Sequence, residues 1–157
     1  MTKPFKIMKG DPVDPKHLRF PLWAFPKFNG FRGYVKDGIV YTASNKPFRN
    51  IKLQEAFGGQ QFEGCDGEFV VGDPSDGHNS LERTSSIVTA KDKPVHDLRF
   101  YVFDHINDLN LPFEQRYWNI KSLTSMLGFK EWKNSIAVRA PYWIIDSIEE
   151  LNAYEAD

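Results

Sequence analysis

Two β-prone runs, Gly33-Tyr34-Val35-Lys36 and Ile39-Val40-Tyr41-Thr42, are joined by Asp37-Gly38. Asp-Gly between such runs is the strongest short-range hairpin signal, because both residues tolerate the positive φ that a tight turn demands. Residues 61–72 and 98–106 are two more strand candidates, rich in aromatic and β-branched side chains and bounded by turn residues. Between them, residues 72–93 are polar and hold Asp-Pro, Asp-Gly and Asp-Lys-Pro, which predicts a mobile excursion with one short helix. After Pro112, the positions Phe113, Tyr117, Ile120, Leu123, Met126 and Leu127 recur at helical spacing, with Gly128 as the stop. Residues 137–145 read as a strand interrupted by Pro141, and Ser147 with Glu150 forms a capping-box pattern that opens a last helix. Residues 1–26 hold five prolines and read as an irregular lead-in whose Leu18, Phe20, Leu22 and Trp23 pack on the core. The order predicts an α+β fold of largely antiparallel sheets with interposed helices, and no internal repeat interrupts it.

Composition adds limits to that picture. A chain of 157 residues, 41% hydrophobic and 15% aromatic, is enough for one cored domain spanning 1–157. The single Cys65 cannot form an internal disulfide, and no basic start followed by an apolar stretch marks a secretory signal, so a reducing, cytoplasmic compartment is expected. No apolar run approaches the roughly 20 residues of a membrane helix, and no membrane partner is expected. The net charge of −1 hides a polarity: residues 1–50 hold ten Lys or Arg against three Asp. A basic end suits phosphate, which points towards a nucleotide or nucleic acid.

The candidate chemistry centres on Lys27, which follows the apolar run Pro21-Leu22-Trp23-Ala24-Phe25-Pro26 and opens a turn containing glycine. That setting is one in which a lysine could be buried enough to act as a nucleophile. His78, His96 and His105 are too scattered for a metal site, and Thr84, Ser85 and Ser86 read as a polar stretch without a catalytic triad.

Lys27-Phe28-Asn29-Gly30-Phe31-Arg32 resembles motif I, K-x-D-G-x-R, of the covalent nucleotidyltransferases: ATP-dependent DNA ligases, RNA ligases and mRNA capping enzymes. In the family's order, Asp66-Gly67-Glu68-Phe69 resembles motif III and Phe100-Tyr101-Val102-Phe103-Asp104 resembles the aromatic motif IIIa. Lys46-Pro47-Phe48-Arg49-Asn50 is similar to the K-P-x-P-N segment, and Leu111-Pro112-Phe113-Glu114-Gln115-Arg116 to the P-F-x-x-R helix start, of small bacteriophage-type DNA ligases. The resemblance covers nearly all of residues 20–155 and implies the first part of an adenylation domain with a partial ATP-grasp-like fold. It implies ATP and Mg²⁺ as cofactors and nicked double-stranded DNA as partner. Lys27 would be the nucleophile that takes AMP, Gly30 and Arg32 would hold the nucleotide, Glu68 would bind a ribose hydroxyl or the metal, and Phe103 would stack on adenine. A non-catalytic DNA-binding or regulatory module, and an RNA ligase or capping-type enzyme, are the rival readings.

Three departures from the family matter. Asn29 stands where the family has Asp, which keeps hydrogen bonding and removes a charge. Thr42-Ala43-Ser44-Asn45 offers no arginine where the family shows Ser-Arg, so one nucleotide contact is absent or comes from another position, for which Arg49 is the candidate. Motifs IV and V and the OB-fold domain have no counterpart in these residues, so a poorly active chain completed by a complementary polypeptide is expected.

Overall fold

The computed structural model describes residues 5–72, 79–120 and 135–156, and the backbone of residues 124–125. In chain order they form β1 (Leu22–Ala24), β2 (Phe31–Lys36), β3 (Ile39–Thr42), α1 (Ile51–Phe57), β4 (Cys65–Val71), α2 (Asn79–Val88), β5 (Leu98–His105), α3 (Phe113–Trp118), β6 (Thr124–Ser125), β7 (Ala137–Arg139), β8 (Trp143–Ile145) and α4 (Ile148–Ala156). The chain divides into two compact units, Phe28–Ala140 and a smaller one made of Met1–Lys27 with Pro141–Asp157.

The larger unit is built on a sheet of order β3-β2-β4-β5-β7-β6. Its β2–β3 hairpin turns through Asp37 and Gly38, both at positive φ (53° and 76°), as the Asp-Gly signal requires. β2, β3, β4 and β5 pair antiparallel, whereas β7 runs parallel to β5 and β6. The fold is therefore α+β with a mixed sheet, antiparallel over most of its width. On one face, Phe69 and Phe100 stack at 4.2 Å, and Phe57 of α1 and Phe48 meet Phe69 edge-on at 5.0 and 5.6 Å. On the other, Val70, Tyr101 and Val138 form a buried cluster capped by Phe28, whose ring stacks on Tyr101 at 4.7 Å. Both faces of the central strands are thus buried along Phe69-Val70-Val71 and Phe100-Tyr101-Val102, which explains why those stretches are unbroken apolar runs.

Helix α1 carries no strong sequence signal, and tertiary hydrogen bonds define it. Asn50 caps it by accepting from the Lys52 and Leu53 amides, and the Gln54 side chain bonds both backbone groups of Val40. The polar stretch after β4 holds the expected helix, α2, ten residues long; Thr84 of α2 accepts from the Val71 amide at 2.9 Å. Residues 73–78 of that stretch lie outside the described residues.

In the smaller unit, β1 pairs antiparallel with β8, and the Trp23 and Tyr142 rings stack at 4.1 Å. The lead-in is thus more ordered than its prolines suggest, because Leu22–Ala24 finds a distant strand partner. Pro141 does more than interrupt a strand: the residues before it join the six-stranded sheet as β7, and those after it pair with β1 as β8. Helix α4 starts where the capping pattern places it, with Ser147 Oγ accepting from the Glu150 amide at 3.2 Å. The helix expected over residues 113–127 is corrected. α3 ends at Trp118, where Asn119 takes the cap, and Thr124–Ser125 is a strand, since pairing with β7 outweighs the helical spacing. Leu123, Met126, Leu127 and Gly128 lie outside the described residues.

Candidate active site

Pairing of β2 with β4 sets Arg32 opposite Glu68 and Tyr34 opposite Asp66. Arg32 and Asp66 are therefore diagonal neighbours on one face of the sheet, within reach of a long side chain. Arg32 Nε and Nη2 donate to the two Asp66 carboxylate oxygens, each at 2.8 Å. The fork is nearly sealed, with the Asp66 side chain 1% and the Arg32 side chain 19% exposed. Two parallel charge-assisted bonds fix the plane of the guanidinium, which a lysine could not reproduce.

Phe103 lies against this fork, its ring centroid 4.6 Å from the guanidinium carbon. A register slip lies beside it. Gly67 faces Val102 and Asp66 faces Asp104, so Phe103 is the extra residue opposite the Asp66–Gly67 step. Alternation keeps Phe103 on the face of Tyr101, which lies opposite Glu68 and so shares the Arg32 face, and the bulge brings Asp104, opposite Asp66, towards that face as well. Tyr101, two residues earlier, is fully buried core, while Phe103 is half-buried at the site. Behind it, Asp104 forms a second ion pair: Arg116 of α3 donates through Nε at 3.0 Å and Nη2 at 3.3 Å, and its Nη1 reaches the Leu111 carbonyl at 2.9 Å.

Gly30 approaches β4 so closely that a Cβ there would lie 2.0 Å from the Phe69 carbonyl oxygen, so only glycine fits. Its backbone hydrogen-bonds the Glu68 carboxylate. Burial pushes Glu68 up to about 7 against the opposing pull of Arg32 and that hydrogen bond. Burial likewise raises Asp66 to about 6, with Arg32 pulling it back. Burial also works against the Arg32 charge, but the Asp66 hydrogen bonds and charge outweigh it and raise the guanidinium above its ordinary value.

The larger unit thus brings together Gly30, Arg32, Glu68 and Phe103. Lys27 belongs to the smaller unit, where it lines an open cavity of about 730 Å³ with Phe25, Pro26, Trp143, Ile144 and Tyr154. The expectation that the apolar run buries this lysine is corrected: Lys27 is exposed, because Trp23 and Phe25 direct their rings at Tyr142 and at each other. Sequence reasoning also passed over Asp66, Asp104 and Arg116 as site residues. Asp66 could have been found, since it alternates with Glu68 and so shares a face with Arg32; the Asp104–Arg116 pair depends on where α3 packs. Among the described residues no group of three or more His, Cys, Asp or Glu could hold a metal, and no helix is long and apolar enough to cross a membrane.

This fold is that of the adenylation domain of ATP-dependent DNA ligases. Chlorella virus DNA ligase, crystallised as its adenylate, superposes with a TM-score of 0.70 at 23% identity, covering 92% of this chain and 52% of that one. A Lig E DNA ligase, described for DNA binding with a minimal scaffold, gives 0.58 at 22% over 84% and 48%. The ATP-dependent ligase of bacteriophage T7, in complex with ATP, gives 0.50 at 14% over 85% and 52%. The chain spans about half the length of each of these ligases. By sequence, no family model and no curated protein matches it.

Proposed function

We propose that this chain is the nucleotide-binding part of an ATP-dependent DNA ligase, with Lys27 as the residue that takes AMP. The observation that carries the reading is the Arg32–Asp66 fork, with Phe103 against it and Glu68 opposite, on a fold shared with a ligase captured as its adenylate. Lys27 precedes this constellation by a few residues in the chain, and its exposure leaves the amine accessible to a nucleotide.

In this reading the Lys27 amine attacks the α-phosphorus of ATP. The N–P bond forms as the bond to the β-phosphate oxygen breaks, pyrophosphate departs, and the amine proton passes to solvent. Arg32, pre-set by Asp66, donates directional hydrogen bonds to the nucleotide without reorganising. Phe103 offers the adenine a ring face, and Glu68 accepts from a ribose hydroxyl. Mg²⁺, when bound, neutralises the triphosphate and the departing pyrophosphate. Glu68 fits it as a single carboxylate ligand, an arrangement suited to an ion that takes its other ligands from phosphate and water. AMP then passes to the 5′-phosphate of a nick, and the adjoining 3′-hydroxyl displaces it as the strand is sealed. The DNA binding named for the Lig E relative supports DNA as the partner.

The test is incubation of the chain with α-labelled ATP and Mg²⁺. A weak covalent, acid-labile label on the wild type that is lost in Lys27→Ala is expected of a poorly active chain, and a full-strength label lost in Lys27→Ala overturns the expectation of poor activity. An unlabelled wild-type chain that still binds nicked DNA overturns the reading in favour of a non-catalytic module, and preferential transfer to RNA ends favours an RNA ligase.

A further inference from the structure

Asp66 and Asp104 are cross-strand partners between β4 and β5, and residues in that relation project side by side from one face of a sheet. Two carboxylates are thus set together in the interior, with 1% and 3% of their side chains exposed. Like charges directly opposite each other repel, the more so where little water screens them. Each carboxylate has both of its oxygens engaged by its own arginine. Arg32 of β2 closes on Asp66 through two bonds of 2.8 Å, and Arg116 of α3 closes on Asp104 at 3.0 and 3.3 Å. Across β2, β4, β5 and α3 the order is therefore Arg32, Asp66, Asp104, Arg116, with the two negative charges in the middle.

The outer pair is anchored away from Arg32. Arg116 Nη1 donates to the Leu111 carbonyl at 2.9 Å, the guanidinium lies 5.5 Å from the Phe113 ring centroid, and Asp104 accepts from the His105 amide at 2.8 Å. Arg32 nevertheless feels Asp104: against the larger effect of burial, its charge is favoured by Asp66, then by Glu68 and Asp104. Without Arg116, Asp104 is a buried carboxylate with Arg32 as a cation on its own face of the sheet. A guanidinium shared between two carboxylates leaves the plane that a single bidentate partner imposes.

We propose that Arg116 is a positioning residue for Arg32: by engaging both oxygens of Asp104, it keeps that carboxylate from drawing the Arg32 guanidinium out of the Asp66 fork. Arg116 acts through Asp104, and the inference rests on the reading that Arg32 binds the nucleotide. A pair that merely held α3 against β5 would fail whichever partner were removed. A positioning role is lopsided, since loss of Arg116 leaves a competing charge and loss of Asp104 removes it.

The test is calorimetric titration of ATP into the chain as wild type, Arg116→Gln, Arg116→Lys, Asp104→Asn and Asp104→Asn/Arg116→Gln, with circular dichroism verifying folding. Arg116→Gln is expected to weaken ATP binding about tenfold, as for the loss of one charge-assisted hydrogen bond. The other three variants keep a cation on Asp104 or remove the competing carboxylate, and are expected within about threefold of the wild type. Arg116→Met, which keeps an unbranched side chain beside Phe113 without its charge, replaces Arg116→Gln if the latter does not fold. Equal losses in Arg116→Gln and Asp104→Asn, or a double variant no better than Arg116→Gln, mark a structural pair and overturn the inference. Wild-type affinity in Arg116→Gln overturns it as well. These outcomes leave the ligase reading standing, whereas a wild-type chain that binds no ATP overturns that reading and the inference together.

Discussion

Because both Asp66 oxygens accept from Arg32 at 2.8 Å in a nearly sealed setting, removing that carboxylate strands a largely buried guanidinium. Breaking a buried pair from one side costs about 3 kcal/mol or more. Asp66→Ala is therefore expected to lose roughly that much stability in urea titration. Asp66→Asn, which keeps the shape and one acceptor, should lose less stability while labelling by ATP still falls at least tenfold. Full labelling in Asp66→Asn would show that the fork does not orient Arg32 for the nucleotide. Gly30, Arg32 and Glu68, which the structure brings together, could be offered from the sequence because a short motif fixes the spacing of the first two and a second supplies Glu68. Asp66's part could not, because a diagonal contact between strands exists only once the β2–β4 register is set.

At the scale of elements, turns and caps announce themselves locally, and packing does not. Asp37-Gly38 specified its hairpin and Ser147 with Glu150 specified the start of α4, since each signal is a hydrogen bond or a φ preference within a few residues. α1 was missed because its anchor, Asn50, works over long range: it caps the helix and also bonds Ile87 and Lys93, about forty residues away. Asn50→Ala removes the cap and takes a donor from the Lys93 carbonyl and from the Ile87 carbonyl, which keeps the Ala90 amide, so a loss of about 2 kcal/mol in urea unfolding is expected. A loss under about 0.5 kcal/mol would mean that water replaces those bonds freely. The bulge at Phe103 was equally invisible, since alternation puts Tyr101 and Phe103 on one face and only the β4–β5 pairing shows that Asp104 comes opposite Asp66.

For the molecule as a whole, the elevated Glu68 carboxyl ties stability to pH. Its folded value near 7 exceeds the ordinary 4.5, so between those values the folded state binds more protons than the unfolded state. Stability from this group is then fully present below about 4.5 and is lost as pH rises through about 7. Urea unfolding at pH 5 and pH 8 of the wild type and Glu68→Gln isolates this contribution. The fall in stability from pH 5 to pH 8 should be smaller in the variant, and equal falls would contradict the burial assigned to Glu68.

By itself the sequence determined the α+β class, the hairpin, the strands β4 and β5 and the identity of the residues offered for nucleotide chemistry, because alternation, turn chemistry and motif spacing are local properties of the chain. Only the tertiary structure decided that the strand after Arg139 changes sheets at Pro141, that β7 pairs parallel, that Asp66 clamps Arg32 and that Lys27 is exposed. Each of these depends on register or burial between segments far apart in sequence, where the free energy of packing, and not the preference of any one residue, selects the outcome.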